Sequence, residues 1–146
     1  MNRVLVPLDV SDASGSVIRF VFPFAKKHGL HHIDFIHAEE EEDSDIFGDL
    51  FPRDEDKHDD MRLFVEKEIA FISSNGVTYN VLDLKGDIEE EILERTGRMH
   101  YDLVVIGYHI LSKIDGYITR TIGKGILDQV PCSMLVYKTH KTRWMV

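Results

Sequence analysis

The chain has 146 residues and a mass of 16.9 kDa, which suits one compact domain. Its hydrophobic fraction of 43% and charged fraction of 29% are typical of a folded globular protein and argue against disorder. The sequence contains no apolar stretch near the ~20 residues of a membrane span, and its start shows no secretory signal. Because Cys132 is the single cysteine, no internal disulfide can form, and we expect a cytoplasmic protein.

The net charge of −9 is concentrated in one segment of the chain. Residues 39–60 contain twelve acidic and two basic residues, a net of −10, so the remainder is close to neutral at +1. The absence of a basic face argues against nucleic-acid binding. We expect residues 39–56 to form a flexible, solvated loop, since so many carboxylates cannot be buried unpaired. The alternative is a partner or cation site that includes the apolar residues of the loop, which are Ile46, Phe47, Leu50 and Phe51.

The first part of the chain alternates strand and helix patterns. Val4 to Leu8 is a continuous apolar run, typical of a parallel strand buried on both faces. A helix pattern follows, capped by Ser11 or Asp12 and ending before Gly29. His32 to Ala38 is predicted as a second strand, which leads into the acidic segment.

The second part of the chain continues this alternation. An amphipathic helix from Lys57 to Ser74 precedes a strand from Val77 to Leu84. Asp87 can cap a third helix, and a fourth strand extends from Asp102 to Ile106. After a long turn, a last helix and a fifth strand from Ser133 to Lys138 complete the pattern.

Each connection between strands is long enough for a crossover helix, and no hairpin signal joins two strands. Since such crossovers are right-handed, the sequence predicts an α/β fold: a single doubly wound, Rossmann-like parallel sheet of five strands with helices on both faces. Ligands of such sheets bind beyond the carboxyl ends of the strands, near the topological switch point. The candidate residues at those ends are Asp9, Val10, Ala38, Glu39, residues 85–87 and residues 107–109.

Glycines near a late helix start, at Gly123 and Gly125 around Lys124, are able to cradle phosphates. The other interpretation is that they serve only as turn and cap residues. A P-loop is excluded, because six residues rather than four separate Gly116 from Gly123 and no hydroxyl residue follows Lys124.

Catalytic and metal-binding patterns are weak. No spacing of histidine, cysteine and acidic residues forms a metal signature, and no catalytic residue is assigned. His37 is expected as a partly buried strand residue and Cys132 as a small core residue. His109 either faces a bound phosphate or is a solvated loop histidine.

Four segments of the sequence resemble the universal stress protein family. They are VLVPLDVSDAS at the start, GD at residues 86 and 87, YDLVVIG before the long turn, and VPCSMLVYK near the end. The resemblance implies the strand order 3-2-1-4-5 for a domain covering residues 1–146. It also implies a homodimer, built here on the last strand, Ser133–Lys138, and in many members the binding of ATP.

ATP-binding members of that family share a motif of Gly, two residues, Gly, nine residues, Gly, then Ser or Thr. Gly107 and Gly123 match the first and last glycines if three extra residues lie between them. The middle glycine corresponds to Ile110 or Lys113, depending on the direction of counting, and Lys124 replaces the hydroxyl residue. The resemblance therefore leaves the phosphate end altered, although the lysines add positive charge there.

The adenosine end of the motif set is kept. Asp9 matches the family aspartate that meets adenosine, and Gly86 matches a glycine near the ribose. The nucleotide site implied by the resemblance consists of Pro7, Asp9, Val10, Ala38, Gly86, Gly107, His109, Gly123, Lys124 and Gly125.

Two functions follow from this resemblance. The first is a stress-response protein that binds ATP, with Mg²⁺ only as a companion of ATP and with slow hydrolysis at most. The second is a family member without nucleotide that acts as a dimeric protein-interaction module. Neither interpretation includes a nucleic acid or a membrane as a partner.

Overall fold

The computed structural model of the chain describes residues 2–39, 57–72, 76–114 and 125–139, with side chains from residue 60 onward in the second range. The elements in chain order are β1 (Arg3–Pro7), α1 (Asp12–Lys27), β2 (His32–Glu39), α2 (Lys57–Ile69), β3 (Thr78–Lys85), α3 (Ile88–Arg98), β4 (Leu103–Gly107), α4 (Tyr108–Leu111), α5 (Ile126–Gln129) and β5 (Ser133–Tyr137).

The five strands form one parallel sheet in the order β3-β2-β1-β4-β5, which confirms the predicted fold. The chain passes from β1 to β2 on one side and later crosses to β4 on the other side of β1. The topological switch point therefore lies between β1 and β4, and their carboxyl ends define the edge where ligands of such sheets bind.

Alternate residues of the central strands face two separate hydrophobic cores. Val4 and Val6 of β1 pack with α1 and α2, whereas Leu5 packs with Ile92 of α3 and Ile126 of α5. All five side chains are fully buried, and burying such a side chain contributes roughly 1.5–3 kcal/mol. Helices therefore cover β1 on both faces of the sheet, as the apolar run of β1 predicts.

The structure differs from the sequence prediction mainly after β4. The prediction of a long turn directly after β4 is wrong at its start, because residues 108–111 form the short helix α4. Ile110 and Leu111 of this helix are 6% and 1% exposed, so their burial against the second core stabilises it. α2 ends at Ile69 rather than at Ser74, and α5 begins after Gly125, which is its N-cap residue.

Some predicted features lie outside the described residues. These are residues 40–56 of the acidic segment, with their four apolar residues, and residues 115–124, which include Gly123 and Lys124. In the part of the chain that the structure describes, no helix is long and apolar enough to cross a membrane.

Candidate functional site

The turn between β1 and α1 holds Asp9 in a fixed position. Ser11 is the N-cap residue of α1, and its Oγ accepts a hydrogen bond from the Ser14 backbone N–H at 3.3 Å. Oδ1 of Asp9 accepts from the Ser11 N–H at 3.0 Å, from the Ser11 hydroxyl, and from the Ser14 hydroxyl at 2.7 Å. The carboxylate that the sequence analysis singled out is therefore oriented by the same residues that begin the helix.

His109 joins this network from the opposite side of the switch point. Oγ of Ser14 accepts from the Asp9 N–H at 2.9 Å and lies 3.0 Å from Nε2 of His109. Since the single hydroxyl proton of Ser14 is donated to Asp9, the imidazole must be the donor in the contact with His109. The hydrogen-bond pattern thus assigns a proton to Nε2, which also lies 3.4 Å from Oδ1 of Asp9.

The Asp9 carboxylate is ionised at neutral pH. Partial burial pushes its pKa upward, but hydrogen bonds from Ser11 and Ser14, with the nearby His109, outweigh this effect and hold the pKa below its ordinary value. Within the described residues, the hydrogen bonds of this carboxylate all fall on Oδ1. Among these residues, Oδ2 is therefore an acceptor without a donor.

Residue 107 must be a glycine because of the neighbouring imidazole ring and not because of its own backbone conformation. Its φ of −68° is accessible to any residue. A Cβ built at Gly107 would lie 2.3 Å from Cε1 and 2.5 Å from Nδ1 of His109, and 3.2 Å from Cγ2 of Val17. The chain's own ring therefore covers that side of the Gly107 Cα.

The interpretation of His109 as a solvated loop histidine is wrong, and that it faces a bound phosphate stays a prediction. It lies in α4 rather than in a loop, and its side chain is only 22% exposed. Its Nε2 is directed at Ser14 and at Asp9, the residue that the resemblance assigns to the adenosine part of the ligand. The prediction missed this contact because 95 residues separate His109 from Ser14 in the sequence.

Four other predicted site residues lie at the same carboxyl edge of the sheet. Pro7 is buried opposite Ile36 of β2, Ala38 is half-buried, and Val10 is 63% exposed. Gly86 has a φ of +136°, which favours glycine, and its N–H donates to the Glu39 carbonyl at 2.9 Å. The structure therefore brings Asp9, Gly107 and His109 into one cluster and distributes Pro7, Val10, Ala38 and Gly86 along the edge.

Two further residues from the sequence analysis have packing roles. His37 is 8% exposed in β2, as predicted, with Nδ1 3.1 Å from Oδ1 of Asp83 and Nε2 3.3 Å from Oε1 of Glu39. Among the described residues, no group of three histidine, cysteine or acidic side chains is arranged so that it could hold a metal ion. Cys132 is half-buried beside the second core, and burial raises the pKa of its thiol, which keeps it protonated.

A buried polar network lies near the amino ends of the strands, and the sequence did not predict it. Asp34 is 2% exposed; Oδ2 accepts from the Tyr101 hydroxyl at 2.7 Å, and Oδ1 accepts from Nε2 of His32 at 2.8 Å and Nδ2 of Asn80 at 3.3 Å. Burial raises the pKa of Asp34, but these hydrogen bonds outweigh it and leave the pKa lowered. One signal was available: a lone aspartate between Ile33 and Phe35 in an apolar strand needs buried partners.

Comparison with known proteins agrees with this fold. The model of the Universal stress protein family matches residues 1–138. A universal stress protein solved in complex with cAMP is 17% identical, with a TM-score of 0.65, and the match covers 95% of this chain and 98% of that chain. UspA from Lactobacillus plantarum is 18% identical, with a TM-score of 0.64, over 92% of this chain and 96% of its own.

A third similar structure is the universal stress protein from Archaeoglobus fulgidus in complex with dAMP. It is 15% identical, with a TM-score of 0.56, and the match covers 93% of this chain and 97% of that chain. No curated protein sequence matches this chain significantly. At these identities the structural likeness establishes the fold, and the family match covers nearly the whole chain.

Proposed function

The chain belongs to the universal stress protein family, and we propose that it serves in stress response by binding an adenine nucleotide such as ATP. The proposed site lies beyond the carboxyl ends of β1 and β4, where parallel doubly wound sheets bind ligands. We propose binding rather than catalysis as the function, and a cytoplasmic location stays a prediction from the sequence.

The observation that carries this proposal is the state of Asp9. Its carboxylate is ionised and held by Ser11 and Ser14, and its Oδ2, at the switch point, has no donor among the residues that the structure describes. An amino group of adenine or a hydroxyl of ribose supplies such a donor, and a hydrogen bond to a charged acceptor is about twice as strong as a neutral one. Two similar structures were solved with cAMP and dAMP, which supports an adenine-containing ligand here.

The placement of the nucleotide parts remains a prediction. We expect the adenine near Asp9, Val10 and Ala38, with the ribose near Gly86 and Gly107. Phosphates are expected toward residues 123–125, where Lys124 supplies positive charge. Lys124→Ala should then weaken the binding of ATP more than the binding of adenosine, because only ATP carries phosphates.

The second candidate is a family member without nucleotide that acts as a homodimeric interaction protein. Two observations favour it: the His109 ring covers Gly107, and Ile110, one candidate for the middle glycine position, is buried in the core. The dimer would form on β5, the edge strand of the sheet, where Val136 is 41% exposed. We propose this surface because β5 lies at the edge of the sheet and because its residues are mainly apolar.

Calorimetry with ATP and adenosine separates the two functions. Asp9→Asn keeps the size of the side chain but removes its charge, so we expect both ligands to bind about tenfold more weakly, equivalent to about 1.4 kcal/mol. Asp102→Asn is the matched control, because Asp102 accepts hydrogen bonds at the start of β4, at the opposite edge of the sheet. If the unaltered protein binds neither ligand at millimolar concentration, with or without Mg²⁺, the nucleotide proposal is wrong.

A further inference from the structure

A row of aromatic rings lies along the side of α1 that contacts β5. The rings of Tyr137 and Phe20 are stacked with centroids 4.7 Å apart, and the rings of Phe20 and Phe24 are stacked with centroids 5.3 Å apart. The His28 ring continues the row, with its centroid 4.5 Å from that of Phe24. We call these four side chains the aromatic row, which begins at the last residue of β5 and follows α1 to its C-cap residue.

The aromatic row is a side of α1 that is separate from the two sides that pack inside the domain. Side chains four residues apart lie on the same side of a helix, which places Phe20, Phe24 and His28 together. Another side of α1 is buried in the first core, and on a further side Nη1 of Arg19 lies 2.6 Å from Oε2 of Glu68 in α2. Phe20 and Phe24 are only half-buried and His28 is exposed, so the row keeps solvent-facing surface in the described part of the chain. A contiguous apolar surface of this kind favours the packing of a further segment.

The chain continues from the end of the aromatic row into residues 140–146, which lie outside the described residues. Their sequence is HKTRWMV, in which four polar residues precede Trp144, Met145 and Val146. β5 is parallel to β1 and therefore ends at the carboxyl edge of the sheet, where α1 begins. α1 then returns to the amino edge, because the residues after it hydrogen-bond to the Asn2 carbonyl at the start of β1. A segment that reverses direction after β5 therefore runs along the aromatic row.

The length and the composition of residues 140–146 suit this surface. Seven extended residues span roughly 23 Å, whereas α1 rises only about 12 Å from Phe20 to His28. The segment can therefore turn back and still bring Trp144 to Phe24. Tryptophan supplies a large apolar ring, and aromatic rings favour offset-stacked or edge-to-face contact with one another.

We propose that residues 140–146 fold back over the aromatic row of their own chain, with Trp144 packed against Phe24. The tether favours this segment over that of a second copy, because a short linker gives an effective concentration in the millimolar range. The contact covers a side of α1 and not the backbone groups at the edge of β5, so it is compatible with a dimer on that edge. It goes beyond the proposed function, since it lies away from the switch point.

The fluorescence of Trp144 tests this contact, because Trp144 is the single tryptophan of the chain. We expect its emission at shorter wavelength than that of N-acetyltryptophanamide, and several-fold weaker quenching by acrylamide. Phe24→Ala should move both values toward those of the free compound, because it removes the ring against which Trp144 packs. Phe71→Ala is the matched control: Phe71 follows α2 and is 89% exposed, so loss of its ring should leave both values unchanged.

A second measurement needs no variant and holds even if Phe24→Ala fails to fold. Nuclear Overhauser effects between the ring protons of Trp144 and Phe24 are expected in the unaltered protein. In a mixture of isotope-labelled and unlabelled protein, a filtered spectrum that reports only contacts between copies should not show them. Their presence there would assign the aromatic row to a second copy and overturn the proposal. Solvent-like emission from Trp144, or emission that a folded Phe24→Ala variant leaves unchanged, would overturn it as well.

Discussion

Tyr101→Phe removes one buried hydroxyl and tests the network around Asp34. The hydroxyl donates to Oδ2 of Asp34 at 2.7 Å, and the two residues are 3% and 2% exposed. A hydrogen bond to a charged group contributes about 1.5–3 kcal/mol, of which Nη2 of Arg95, 4.0 Å from the same oxygen, can recover a part. We expect the free energy of unfolding to fall by about 2 kcal/mol and Tm to fall by roughly 4–8 °C.

The loss should depend on pH in a defined direction. The pKa of Asp34 is lowered in the folded state, so its contribution to stability is complete above the unfolded pKa and is lost as the pH falls through the folded pKa. Removal of the Tyr101 donor raises the folded pKa of Asp34 toward its unfolded value. The difference between the two proteins is therefore largest near neutral pH and shrinks as the pH falls below the unfolded pKa, about 3.9 for aspartate.

Urea denaturation at about pH 7 and about pH 3 measures both quantities, since the unfolded pKa of aspartate lies between these values. Tyr79→Phe is the matched control: Tyr79 is half-buried, and its ring packs against Phe22 with centroids 5.8 Å apart. Tyr79→Phe removes the same hydroxyl oxygen as Tyr101→Phe but leaves the hydrogen bond to Asp34 in place. An equal loss of stability at both pH values, or an equal loss in the control, would refute the assignment of a charge-assisted hydrogen bond.

Three further predictions concern other parts of the chain. Gly107→Ala should force the His109 ring to move and lower the free energy of unfolding in urea by about 1–3 kcal/mol, whereas an unchanged free energy would contradict the packing of the ring against Gly107. Val136→Asp should convert a dimer into a monomer or aggregate in sedimentation, whereas an unaltered protein that is monomeric at micromolar concentration contradicts the dimer. Replacing residues 40–54 by a Gly-Ser linker should leave Tm nearly unchanged, and a large drop would show that they pack.

The sheet could be predicted because its strands have a strong local signal. A strand buried on both faces must be apolar at nearly every position, as Val4–Leu8 is, and the crossover rule then fixes the parallel arrangement. α4 was missed for the same kind of reason. Four residues are little more than one helical turn, so their conformation is set by the burial of Ile110 and Leu111 in the tertiary structure and not by a periodic pattern.

A residue of the candidate site could be predicted only where its immediate neighbours in the sequence indicate its role. Asp9 follows a buried strand and matches a family position, so both arguments find it. Ser14 and His109 gain their roles from a contact across 95 residues, which no local pattern encodes. The partners of Asp34 are equally distant, since Tyr101 lies 67 residues away, and only the unusual aspartate in an apolar strand indicated that partners exist.

Gly107 shows why a residue that matches a motif needs the structure before it is assigned a role. In the sequence, Gly107 matches the first glycine of a nucleotide-binding motif, whereas the structure shows the ring of His109 covering the side of the Cα where a Cβ would lie. A Cβ there would meet the His109 ring and Cγ2 of Val17 in α1. Packing of the chain's own side chains is therefore a sufficient reason for a glycine at this position, and a match to a motif does not by itself assign the glycine to a ligand.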